Sequence, residues 1–197
     1  MRTIITGTGS YLPKKIISND DLSKTLDTSD EWINTRTGIR QRHVADFKDK
    51  ETCSKMATFA AQNALEMAKL KPTELDLIIT ATVTADYRVP SAACLVQKNL
   101  GATKVPAFDI SAACAGSIYA LNIADSFIKS DRYKNILVTA SEVLSSATNW
   151  EDRNTAILFG DGASAAVLSK NDGESGFIDF NLYADGEQNQ LICIPAG

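Results

Sequence analysis

The chain has 197 residues, enough for one large domain or two small ones and for a substantial core. Its 44% hydrophobic and 22% charged residues exclude a disordered, collagen-like or disulfide-scaffold chain. A net charge of −4 with scattered Lys and Arg offers nothing to nucleic acid or to an anionic membrane surface, and the longest uncharged stretch, the 15 residues 110–124, falls short of the roughly 20 that span a bilayer.

The alternation of apolar runs and turn residues predicts the elements in chain order. Residues 2–8 read as a strand ending in Gly7-Thr8-Gly9. A short helix over 19–26 takes Ser18 or Asn19 as its cap, and Thr28 with Glu31 fits a capping box for a helix that carries Trp32, Ile33 and Arg36 and stops at Gly38. Residues 52–70 place Met56, Phe59, Ala60, Ala64, Met67 and Ala68 at helical spacing. A buried strand over 77–84 precedes a helix over 91–100, begun by Pro90 and ended by Gly101. Strand 105–110, helix 112–129 and strand 136–141 follow. Runs 155–159 and 163–168 flank Gly160-Asp161-Gly162 and predict a hairpin, and a last strand is expected over 177–183. The pattern gives an α/β class with a mixed, mostly parallel sheet in one domain. Helix 112–129 is apolar in every direction, so it is expected in the interior, covered on both sides, within a core larger than this chain supplies.

The chemistry-bearing residues are few. His43 is the sole histidine, which excludes a zinc site built on several histidines. It sits among charges after Gly38 and reads as a surface or loop residue, although spacing alone leaves pairing with Cys114 open. The four cysteines lie far apart with no C-x-x-C pair, and the N-terminus lacks the apolar region and cleavage site of a signal peptide, so a reducing cytoplasm is expected. Cys114 follows a buried strand and stands where a buried helix begins, among Ala and Gly residues that leave room for a substrate. A helix N-terminus favours the nucleophilic thiolate and offers N–H groups to an oxyanion. A small buried core cysteine is the equally weighted alternative. Cys94 occurs in the same Ser-Ala-Ala-Cys tetrapeptide, but past the first helical turn, and reads as structural, as do Cys53 and Cys193. Gly7-x-Gly9 lacks the third glycine of a dinucleotide motif, since position 12 is Leu12. Asp161 reads as turn chemistry. Trp32, Arg36 and Arg153 suit stacking on a nucleotide and pairing with phosphate.

In order, G-T-G-S-Y-L-P at 7–13, D-T-S-D-E-W-I at 27–33, R-T-G-I-R-Q-R-H at 36–43, P-S-A-A-C at 90–94, A-F-D-I-S-A-A-C-A-G at 107–116 and F-G-D-G-A at 159–163 resemble the N-terminal part of the β-ketoacyl-acyl-carrier-protein synthase III family. The resemblance covers nearly the whole chain. It implies a thiolase-like layered fold (αβαβα) of which residues 1–197 form the N-terminal half. It implies that Cys114 takes an acyl group from acyl-CoA, which is a substrate and not a cofactor, and that condensation with malonyl-acyl carrier protein follows. By the same resemblance Trp32 and Arg153 hold the adenine of coenzyme A, with Thr28 and Arg36 beside them. Val89 and Phe159 shape the acyl pocket, Val89 across a homodimer interface. No metal or cofactor is implied. The family's catalytic His and Asn belong to the C-terminal half, and His43 does not match that His. The missing part is then expected in cis or as a bound fragment. A related acyltransferase with another acceptor, or a non-catalytic half-domain paired with a partner subunit, are the competing readings.

Overall fold

The structure, a computed structural model, describes residues 2–49 and 51–194. Five strands form the main sheet: β1 (Arg2–Tyr11), β4 (Leu77–Ala81), β5 (Ala107–Ile110), β6 (Asn135–Val143) and β7 (Asp161–Asn171). Their order is β1-β7-β6-β4-β5. β4, β5 and β6 run parallel, while β7 is antiparallel to both β6 and β1. Two helical crossovers join the parallel strands. α4 (Ala92–Leu100) carries the chain from β4 to β5, and α5 (Gly116–Lys129) carries it back from β5 over β4 to β6. Crossovers are right-handed. Two such crossovers travelling in opposite directions put their helices on opposite faces of the sheet. The carboxyl ends of β4, β5 and β6 therefore surround a topological switch point, where α/β sheets bind ligands.

One face is closed. α3 (Cys53–Ala68) and α4 pack there with Met56, Ala57, Ala60, Ala61, Ala64 and Val96 fully buried. The buried stripe of α3 differs from the expected one, since Phe59 and Met67 point outward and Ala57 and Ala61 point in. The reason is close approach. A Cβ built on Gly7 would lie 2.1 Å from the Ala64 carbonyl oxygen, and one on Gly9 2.1 Å from that of Ala60. Gly7-Thr8-Gly9 thus serves helix–sheet packing, and only small residues fit opposite it.

On the other face α5 buries Ala120, Ala124 and Ile128 against Ile79, Ile136 and Leu168. Its far side is covered only in part within the described residues, with Ile118 exposed and the Tyr119 hydroxyl donating to the Tyr183 carbonyl at 3.1 Å. The expectation of cover on both sides therefore holds on one side only.

A small lobe stands beside the sheet. β2 (Lys15–Ser18) pairs with β3 (Gln41–Val44), a hairpin absent from the sequence reading, with α1 (Asn19–Ser23) and α2 (Asp30–Thr37) between them. Leu22, Ile33 and Ile157 form its core. Arg42 is buried there and donates to the Ile17 carbonyl at 3.1 Å, the Asn19 amide oxygen at 2.7 Å and the Ile157 carbonyl at 3.3 Å. Burial lowers its pKa from the ordinary value.

Several element boundaries move, each for a local reason. Ser18 caps α1, which ends at Ser23 instead of 26. The cap of α2 is Ser29, whose Oγ accepts from Trp32 N at 3.1 Å, and not Thr28. Ser91 caps α4, so Pro90 falls outside the helix. β4 stops at Ala81, short of 84. The expected helix 112–129 is broken by Ala113, which has φ 44°, into a single turn over Ala113–Ala115 and then α5. The hairpin around Gly160-Asp161-Gly162 does not form. Instead α6 (Arg153–Ala156) precedes β7, and Asp161 opens that strand. The 177–183 segment holds no strand.

Candidate active site

The site is built at the carboxyl ends of the parallel strands. β5 delivers the chain through Ser111 and Ala112 to Ala113, Cys114 and Ala115, and α5 starts one residue later. Cys114 therefore precedes the N-cap residue Ala115 instead of lying inside the first turn of a helix. Ala113, immediately before it, holds a left-handed conformation that costs an alanine roughly 1–2 kcal/mol. That bend turns Cys114 outward, and its side chain is exposed.

Cys114 opens on two adjoining cavities. The larger, about 640 Å³, is lined by Cys114 together with Val83, Glu142, Leu144, Leu158 and Phe159. The smaller, about 330 Å³, is lined by Cys114 with Leu12, Ser117, Glu142 and Ser164. The first volume suits a small-molecule ligand and its lining is largely apolar.

A second cluster lies on the small lobe. The Arg36 guanidinium stands 4.2 Å from the Trp32 ring centroid and that of Arg153 stands 4.6 Å from it. Both are cation–π contacts. Arg153 also donates to the Asp27 carbonyl at 2.7 Å. The exposed Asp27 carboxylate at 3.6 Å adds little. A flat ring inserted between Arg153 and Trp32 needs roughly 7 Å, twice a van der Waals contact, so a bound base must displace Arg153. Next to Asp27, the Thr28 hydroxyl oxygen is buried without a hydrogen-bond partner. α6 joins the two clusters. Arg153 faces Trp32, while its neighbours Asp152, Asn154 and Thr155 line the Cys114 cavity.

The structure thus brings Cys114 together with Phe159, and Trp32 together with Arg36 and Arg153. Val89 stands apart, 85% exposed and lining neither cavity. His43 is in β3, with Nδ1 2.6 Å from the Pro13 carbonyl oxygen. That contact requires Nδ1 to carry a proton, and His43 lines neither cavity. Asp161 is buried and accepts from Ala45 N at 2.7 Å, Ser145 N at 2.8 Å and the Ser145 hydroxyl. It ties three segments together and makes no turn. Cys94 lies in the first turn of α4, exposed, and lines neither cavity. Burial pushes the Cys53 thiol up to about 11, in keeping with a structural residue. Cys193 is exposed and lines the larger cavity, so it does not pack as a core residue. Glu142 was missed by the sequence reading, although one carboxylate inside the apolar run 135–143 is a signal. Among the described residues no group of His, Cys, Asp and Glu could hold a metal ion. No helix among them is long and apolar enough to cross a membrane.

Known proteins share this fold. Residues 108–186 match the 3-oxoacyl-[acyl-carrier-protein (ACP)] synthase III family. The chain is 56% identical over 192 residues to the β-ketoacyl-[acyl-carrier-protein] synthase III of Aquifex aeolicus, covering 98% of this chain and 61% of that protein. The crystal structure of 3-oxoacyl-[acyl-carrier-protein] synthase III from Aquifex aeolicus superposes with a TM-score of 0.91 at 57% identity, over 94% of this chain and 59% of that one. The 3-oxoacyl-(acyl carrier protein) synthase III of Pseudomonas aeruginosa superposes with a TM-score of 0.93 at 39% identity, over 100% of this chain and 61% of that one. The layered fold is thiolase-like, as the motifs implied. The chain spans about three fifths of the relatives that it matches, and over that stretch it is similar to β-ketoacyl-[acyl-carrier-protein] synthase III proteins.

Proposed function

We propose that the chain is the N-terminal thiolase-like domain, residues 1–197, of a condensing enzyme that starts fatty-acid synthesis. The observation that carries this reading is the exposed Cys114, set by a strained residue at the carboxyl end of β5 in a cavity that α6 links to the Trp32–Arg153 stack. In the first step the Cys114 thiolate attacks the thioester carbonyl of acyl-CoA. The bond to coenzyme A sulfur breaks, coenzyme A leaves as the thiolate and takes a proton from water, and the acyl group stays on Cys114. The adenine displaces Arg153 and stacks on Trp32, with Thr28 and Arg36 beside it. The acyl chain lies along Phe159.

In the second step malonyl-acyl carrier protein loses carbon dioxide. Its carbanion attacks the acyl carbonyl, the Cys114 thiolate leaves, and 3-ketoacyl-acyl carrier protein forms. Covalent catalysis divides one difficult step into two. His43 is bonded to Pro13 away from the cavity and does not serve this step. The groups that promote decarboxylation come from polypeptide corresponding to the rest of the relatives' length, in cis or as a bound fragment. The reading places the enzyme in the cytoplasm as a homodimer in which Val89 reaches the partner's acyl pocket.

The test has two parts. Intact mass after incubation with acetyl-CoA should show one acetyl group, absent in Cys114→Ala. Addition of malonyl-acyl carrier protein to the assembled enzyme should yield the 3-ketoacyl product. Acylation that never leads to condensation would point to an acyltransferase with another acceptor, and no acylation at all would leave a non-catalytic half-domain.

A further inference from the structure

The residues around Glu142 do more than line the cavity. Glu142 lies near the carboxyl end of β6 and borders both cavities that contain Cys114. Its carboxylate accepts from Val83 N at 2.9 Å, from the Thr82 hydroxyl at 3.4 Å and from the Thr84 hydroxyl. The Thr84 hydroxyl in turn accepts from Val143 N at 2.7 Å. One carboxylate therefore fixes three consecutive residues just past the end of β4. A carboxylate has two oxygens and about four acceptor sites, so it satisfies three donors at once where an amide or hydroxyl would not. Glu142 takes part in none of the ion pairs among the described residues, and the donors to it are neutral.

The held segment matters because of Val83. Val83, 41% exposed, lines the larger cavity alongside Cys114 and Glu142. Its backbone N–H is pinned by Glu142, so the carboxylate sets how far that apolar wall stands from the sulfur. The loop that follows is fastened twice more. The Asp86 carboxylate accepts from Ser54 N at 2.8 Å and the Ser54 hydroxyl at 2.9 Å. That of Asp109 accepts from Ala92 N and Ala93 N, each at 2.7 Å. The wall therefore cannot relax by moving the loop as a body.

We propose that Glu142 is a positioning residue that sets the acyl-chain preference of Cys114 through Val83. This rests on Cys114 being acylated by acyl-CoA. Loosening the 82–84 segment lets Val83 recede and admits longer chains, and Val83→Ala does the same directly. One methylene in a snug apolar pocket is worth about tenfold or more in selectivity.

The test compares rates of Cys114 acylation by acetyl-CoA and butyryl-CoA, read by intact mass. Wild type, Glu142→Ala, Glu142→Gln, Val83→Ala and the Glu142→Ala/Val83→Ala double variant are compared. Glu142→Ala is expected to raise the butyryl-to-acetyl ratio about tenfold. Val83→Ala should raise it in the same direction. Glu142→Gln, which keeps one acceptor oxygen, should fall between wild type and Glu142→Ala. The double variant should go no further than the larger single effect, because both act at one place. A uniform slowing with the ratio unchanged would overturn the proposal. So would an unchanged ratio in Val83→Ala, which also decides the matter if Glu142→Ala fails to fold. Absence of acylation in wild type would instead refute the reading of Cys114 on which the proposal rests.

Discussion

The two faces of the sheet differ in how they are finished. On the α3 face, small residues on the helix meet glycines on β1, the backbones touch, and the cluster is closed by Met56, Val96 and Leu137. On the α5 face, one side of the helix is buried on the sheet and the other presents Ile118 to solvent. The first face is closed within this chain and the second is covered only in part. Cys114 lies at the boundary, on the turn that leads from the sheet to the half-covered helix. Cys114 is therefore exposed beside a closed core.

The largest expected effect breaks the closed face. Gly9→Ala places a Cβ 2.1 Å from the Ala60 carbonyl oxygen and should destabilise the chain by about 3 kcal/mol in denaturant unfolding. A loss under about 1 kcal/mol would mean that β1 and α3 are not in such contact.

The same face is sensitive to acid through Glu51. Burial pushes its pKa up, but hydrogen bonds from Asp46 N, the Tyr11 hydroxyl and Lys14 N outweigh burial, and the net shift is downward. A carboxylate with a lowered folded-state pKa contributes stability at pH above its unfolded value, about 4.3, and that contribution is lost as pH falls through the folded value. Unfolding midpoints measured from pH 7 to pH 3 should therefore drop more in wild type than in Glu51→Gln. Parallel curves would contradict this.

At the boundary, Ala113→Gly relieves the left-handed strain and should gain about 1 kcal/mol of stability while leaving Cys114 acylation nearly unchanged, because glycine holds the same bend. A loss of stability would show that Ala113 holds no such strain. Ile118→Ser on the open face should change stability by less than about 0.5 kcal/mol, since the side chain is already in water in this chain. A loss near 2 kcal/mol would mean that this side of α5 is covered within the chain itself, and the contrast between the faces would fail.

The sequence carried the closed face unevenly. The helix ends at Gly38 and Gly101 were legible because glycine supplies the left-handed C-cap, with φ 73° and 71°. The stripe of α3 was misphased because alanines and large apolar residues score alike in a periodic pattern, while the glycines that favour alanine lie on β1. The β2–β3 hairpin was missed because its strands are four residues long and pair Lys15 with Val44 across two helices. Asp161 looked like a turn because Asp-Gly is a local signal, whereas its three donors come from residues 45 and 145. Cys114 was legible because strand, small residues and helix follow one another along the chain. Glu142 was not, because its partners are 58 to 60 residues away.

The central claim is that Cys114 forms a thioester with an acyl group from coenzyme A. Intact-mass measurement of the chain after incubation with acetyl-CoA tests it most directly. The account predicts one added acetyl group that is lost on hydroxylamine treatment and absent in Cys114→Ala. No added mass on folded wild-type protein, or the same added mass in Cys114→Ala, would contradict it.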